Sequence, residues 1–225
     1  CPELDAHLRK LSAQSLSVVF VSHFLDNPAS AFGHTMLYLG SDGDRGAVLA
    51  DYTVSFEANT EGLSPLGYIP RGLFGGLVAG FQIEQFHERI RLYEREEQRD
   101  LWMFPLQVSQ EEIDQLSRHL WELKDVTFQY GFFGDNCAQK ILAVVHAVAP
   151  YYQILPHRSM AVLPSEVSRR LVQQIGLASE PIWRPSLWSQ YSRHVAALNP
   201  QEKEQLREML ASRTVSRNAS AATLS

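Results

Sequence analysis

The chain has 225 residues, 20 of them basic and 25 acidic, for a net charge of −5; 45% are hydrophobic and 10% aromatic. That length suits one domain with small appendages, and the apolar and aromatic content excludes a mainly disordered chain. Two cysteines exclude a disulfide-rich scaffold, and the acidic balance argues against a broad nucleic-acid surface, so no nucleic-acid partner is expected.

Along the chain, the first ~15 residues read as a short helix or arm. No apolar run reaches the ~20 residues needed to cross a bilayer. Cys1 reads either as the lipidated first residue of a mature lipoprotein or as an arbitrary boundary. Leu16 to Phe24, rich in Val and Phe, predicts a buried strand, broken by Asp26-Asn27-Pro28. His34 to Leu39 predicts a second strand, Ser41 to Asp44 a turn, and Ala47 to Phe56 a third strand.

Leu63 to Phe81 interleaves Gly67, Gly72, Gly75, Gly76 and Gly80 with bulky apolar residues. Glycine weakens helix and strand alike, yet the stretch is too greasy for a plain solvent loop. It reads either as a buried, kinked crossover or as a mobile apolar flap that touches lipid, with Leu73, Phe74 and Leu77 as the contact residues. Gln82 to Glu94 alternates roughly and predicts strand, as does Leu101 to Val108. Ser109 and Glu112 form a capping box ahead of Ile113, Leu116, Leu120 and Leu123, predicting a helix over 110–124.

Ala138 to Val148 predicts a well-buried helix ended by Pro150, and Pro164-Ser165 opens another to about 175. Asn199-Pro200 with Glu202 caps a charged helix over 200–212, followed by a small-residue tail. The organisation expected is one domain over 1–198 with a peripheral helix and flexible tail over 199–225.

Asp135 or Asn136 can cap the helix that follows, which puts Cys137 in its first turn. Unpaired N–H groups and the helix dipole favour an anion there, so the thiol is expected to lean toward thiolate. A cysteine nucleophile needs a base. Of eight histidines, His34 is best placed, at a strand start after Phe32-Gly33; His23 is next. His146 lies roughly 13 Å along the same helix at ~1.5 Å per residue, too far for proton transfer. No nucleophile elbow, phosphate loop, dinucleotide fingerprint, His-Glu-x-x-His or Cys-x-x-Cys is present, so neither cofactor nor metal is expected.

The blocks PASAFGHTMLYL (28–39), DYTVSFEA (51–58), GLFGGLVAGF (72–81), RDLWMFPL (99–106), LWEL (120–123) and YGFFGDNCAQKIL (130–142) occur in one order. Over about 28–145 the chain thereby resembles the N-terminal periplasmic domain of Lnb-type proteins, Phe-Gly-His-Thr and Asn-Cys being the most specific parts. The resemblance implies an α+β fold of papain-like, NlpC type, circularly permuted, with an antiparallel sheet packed against the Cys-bearing helix and extra C-terminal helices. Lecithin:retinol acyltransferase-like enzymes are similar, with their own Asn-Cys motif.

Carried over, Cys137 is the nucleophile and His34 its base. Permuted relatives place a third polar group on the strand after the His strand, which points to Asp51, then Ser55; Ser30 and Asn136 are further supporting residues. The implied reaction moves a fatty acyl chain from a phospholipid, through a Cys137 thioester, to the N-terminal α-amino group of a bacterial lipoprotein. The implied location is the bacterial periplasm with peripheral membrane contact. Two alternatives stay open: a cysteine hydrolase on the same scaffold (a peptidoglycan peptidase or amidase, or a lipase), and a non-catalytic binding domain.

Overall fold

A computed structural model describes residues 1–24, 32–41, 51–59, 70–72, 76–132, 134–152, 154, 163–173 and 180–211. The chain divides into two compact units, Cys1–Ser186 and Leu187–Ser225. The first is built on a seven-stranded, wholly antiparallel sheet: β1 (Ser15–Val21), β2 (His34–Gly40), β3 (Tyr52–Ala58), β4 (Leu77–Gln85), β5 (Leu101–Leu106), β6 (Phe128–Tyr130) and β7 (Ile182–Arg184). Their order across the sheet is β6-β4-β3-β2-β1-β5-β7. The fold is therefore α+β, a meander of four strands extended at both edges.

Among the described residues, this unit also holds helices α1 (Pro2–Lys10), α2 (Phe86–Ile90), α3 (Gln110–Leu123), α4 (Cys137–Val148) and α5 (Pro164–Gln173). One face of the sheet, with Val18, Leu37, Val54 and Phe56, packs against Ile113 and Leu116 of α3, Ile141 and Leu142 of α4, and Val167 and Leu171 of α5. Each such side chain, taken fully out of water, contributes ~1.5–3 kcal/mol. The other face, with Val19, Val21, Met36 and Met103, is covered by Phe86, Ile90 and Tyr93. The second unit holds α6 (Leu187–Ala197) and α7 (Pro200–Ala211). The expected boundary at 198–199 falls between these two helices, within that unit.

The capping box of α3 is formed as its sequence requires: Ser109 Oγ accepts from the Glu112 N–H and the Glu112 carboxylate from the Ser109 N–H. Asn199 and Glu202 do the same at α7. Gln82 to Glu94 differs from expectation. Only its first residues continue β4; Phe86–Ile90 is α-helix and Arg91–Glu96 a π-helical extension. Phe86, Ile90 and Tyr93 recur at helical spacing and bury together, so the period is helical and the alternation was accidental.

The glycine-rich stretch also resolves in part. Leu77, Ala79 and Phe81 alternate inward along β4, so its end is sheet core rather than flap. Among the described residues, no helix is long and apolar enough to cross a membrane.

Candidate active site

Helix α4 starts at Cys137 because Asn136 caps it. Asn136 Oδ1 accepts from the Gln139 N–H at 3.1 Å, and its Nδ2 donates to the Phe132 carbonyl at 2.9 Å, tying the helix start to the loop before it. Cys137 is 4% exposed. It borders a narrow, mostly apolar slot with Phe32, Tyr130, Phe132, Leu163 and Pro164.

The backbone N–H groups of Thr35, Ala138 and Cys137 itself act to hold the thiol down. Burial nevertheless outweighs them and, with the Glu57 charge adding to it, pushes the thiol up to about 11. The expected lean toward thiolate is thus corrected: at neutral pH the resting group is a thiol, because the helix-end amides recover only part of what desolvation costs.

His34 opens β2 directly after Gly33, whose φ of +89° suits glycine and whose Cβ, if it had one, would lie 2.6 Å from the Phe20 ring. The imidazole shares parity with Met36 and Tyr38 and its ring centroid lies 6.3 Å from that of Tyr93. Burial pushes His34 down to about 4; Glu57 opposes this, while Arg89 and Arg99 reinforce it. Imidazole and thiol therefore both rest neutral at pH 7.

No hydrogen bond joins His34 to Cys137. Nε2 of His34 and Oγ1 of Thr35, on consecutive residues of β2, are buried without a hydrogen-bond partner among the described residues. The Glu57 charge raises the pKa of both His34 and Cys137, opposing the effect of burial on the first and adding to it on the second.

Glu57 is the acidic neighbour that sequence reasoning missed. Its Oε1 lies 3.9 Å from His34 Nε2 and 2.6 Å from Arg89 Nη2. Arg89, 6% exposed, also pairs through Nε with Glu84 at 2.5 Å and donates to Ser55 Oγ at 3.1 Å. Ser55 thus lies two residues from Glu57 on the same strand parity and serves Arg89.

Asp51 serves elsewhere. It accepts from Tyr38 at 2.5 Å and from the N–H and hydroxyl of Ser41, at the far end of β2 from His34, roughly 20 Å away at ~3.3 Å per residue. There it ties Ser41, just after β2, and Tyr38 to the start of β3. Leu77, expected at a lipid contact, is 2% exposed and pairs with Tyr130. Ser30, Leu73 and Phe74 lie outside the described residues. Gly72 does reach the site: its carbonyl accepts from the Phe132 N–H at 2.8 Å, and the Phe132 ring packs on its Cα. Among the described residues, no His, Cys, Asp and Glu cluster could hold a metal ion.

Sheet, helix-start cysteine and strand-borne histidine together define an α+β domain with a buried thiol at a helix start. The chain belongs to the Lnb N-terminal periplasmic domain family, which matches residues 3–174 and so takes in Cys137, His34 and Glu57. That membership supports a periplasmic location. Among solved structures, the Type VI secretion system effector TseH is similar at 10% identity and a TM-score of 0.44, over 71% of this chain and 88% of that one. No curated protein matches significantly.

Proposed function

We propose that this domain is a thiol-dependent acyltransferase that moves a fatty acyl chain from a phospholipid to the N-terminal amine of a bacterial lipoprotein. The observation that carries the reading is a buried thiol at a capped helix N-terminus, held down by the backbone amide of Thr35, the residue next to His34 on β2. The fold is read as a circularly permuted papain-like one, since the His strand precedes the Cys helix.

Because both groups rest neutral, proton transfer accompanies attack instead of preceding it. In this reading His34 takes the thiol proton as Cys137 sulfur bonds to the ester carbonyl carbon. The N–H groups of Cys137 and Ala138 face the developing oxyanion. The carbon–oxygen bond to the glycerol breaks, the imidazolium returns its proton to that oxygen, and lysophospholipid leaves. The lipoprotein amine then attacks the thioester carbonyl; the carbon–nitrogen bond forms, carbon–sulfur breaks, and the amine proton passes through His34 to the sulfur. Glu57 acts as a positioning residue beside the imidazole, itself held by Arg89.

The site must exclude water for an amine to win, and the apolar slot over Cys137 suits that. A donor drawn from a bilayer implies peripheral membrane contact. The slot's apolar lining favours this reading over a hydrolase of polar cell-wall peptides.

The test is intact-protein mass spectrometry after incubation with phosphatidylethanolamine vesicles. A hydroxylamine-labile gain of one acyl mass is expected on the wild type and is absent from Cys137→Ala. Release of free fatty acid in place of transfer to a diacylated peptide makes the domain a lipase; neither adduct nor turnover overturns the reading.

A further inference from the structure

We propose that the acyl chain is held in an apolar groove between β5 and the second half of α5, reached from the thiol along one cross-strand row. The proposal rests on the acyltransferase reading and supplies the subsite that reading needs. Thr35, whose backbone amide holds the Cys137 thiol down, pairs in register with Phe20 of β1, and Phe20 pairs with Trp102 of β5. With strands ~4.8 Å apart, Trp102 sits roughly 10 Å across the sheet from Thr35. Phe20 and Phe104 pack against the cluster that contains Cys137, so the row runs over the thiol's own face.

Two further links join slot to groove. The Phe20 ring abuts Gly33, which borders the thiol slot, and Phe20 also lines the groove. Helix α5 roofs both: Pro164 at its start borders the slot, and Val172 near its end borders the groove, roughly 12 Å on at ~1.5 Å per residue.

The groove spans about 470 Å³; Phe20, Trp102, Phe104, Val172 and Pro181 form its apolar wall, and the uncharged Ser168 and Gln173 also border it. That size lies in the ~300–1,000 Å³ range of small-molecule sites. Arg169 borders it too, but its guanidinium is already paired with Glu166, with Nε at 2.8 Å from the carboxylate. The groove thus offers hydrocarbon contact and no free charge, the chemistry of an alkyl chain. Trp102 and Val172 leave 38% and 55% of their surface in water, apolar area that a bound chain would cover.

The test is binding of cis-parinaric acid to the wild-type chain, followed by fluorescence, with palmitate and butyrate as competitors. Saturable binding displaced by palmitate and not by butyrate is expected. Val172→Glu and Trp102→Glu each place a charge in the groove and should weaken binding at least ~10-fold. Val172 is half exposed, so its variant keeps the test valid if Trp102→Glu fails to fold. No wild-type binding, or equal binding by a folded variant, overturns the groove. Groove binding without a Cys137 thioester sinks the acyltransferase reading and leaves the groove standing. Equal rates of thioester formation from a long-chain ester in wild type and both variants sink the groove and leave that reading intact.

Discussion

The two faces of the sheet solve burial differently. On the Cys137 face the core is almost wholly hydrocarbon, and the polar groups at the thiol are backbone amides and the Asn136 cap. On the other face the helical segment after β4 buries Arg89 near Tyr93, and Arg99 is buried beside the Tyr93 ring. Glu57, Glu84 and Ser55 then satisfy Arg89, while Glu97 and the Ser22 carbonyl satisfy Arg99. Dispersion contacts are non-directional and leave room to admit a chain; charged hydrogen bonds fix their partners in one arrangement. The division gives a tolerant surface to the thiol and an exacting one to the histidine's surroundings.

The sharpest way to break this contrast is Arg89→Met. Removing the cation leaves Glu57 and Glu84 crowded beside an apolar cluster, and a loss of about 3 kcal/mol is expected, the low end for a broken buried pair because both glutamates keep part of their surface in water. A urea midpoint unchanged from wild type would mean the charged face does nothing for stability.

A smaller effect separates the faces by pH. An unfolded histidine takes up its proton near 6.5, whereas folded His34 resists until about 4, so between those values protonation favours the unfolded chain. Stability from this source is complete above pH 6.5 and drains away as pH falls toward 4. Comparing wild type with His34→Gln at pH 7.5 and 4.5 cancels the carboxylates common to both. The wild type should lose roughly 2 kcal/mol more than the variant over that interval. Parallel losses would place the imidazole in water.

The smallest effect belongs to the apolar face. Asn136→Ala removes the cap of α4 and should cost ~1 kcal/mol in thermal or urea unfolding. It should also slow Cys137 acylation, since the amides at the helix start lose their fixed aim. Full acylation rate in the variant would show that aim is set elsewhere.

Much of this was legible in the residues. The caps at Ser109, Asn136 and Asn199 announce their helices locally, and the Cys137 and His34 positions follow from Asn-Cys and Phe-Gly-His. Glu57 was not legible, because its partner Arg89 sits in a segment whose rough alternation hid a helical period. Asp51 looked apt by strand order, but a carboxylate at the start of β3 faces the end of β2, not its beginning, in an antiparallel pair. Three-residue β6 and β7 carry no periodic signal at all. Thr35 is silent in sequence, since its contribution is a backbone amide and an orphaned hydroxyl.

β1 is the first strand of the chain yet lies inside the sheet, with β2 on one side and β5 on the other. The Val18-Val19-Phe20-Val21 run therefore keeps one row of amides and carbonyls open until Leu101–Leu106 arrives. A nascent or truncated chain that ends before that strand presents a sticky, β-branched rim to its neighbours, the template on which misassembly begins. Aggregation during biogenesis is then governed by how long that rim waits for its late partner, and a holdase that shields residues 15–21 would protect the whole domain.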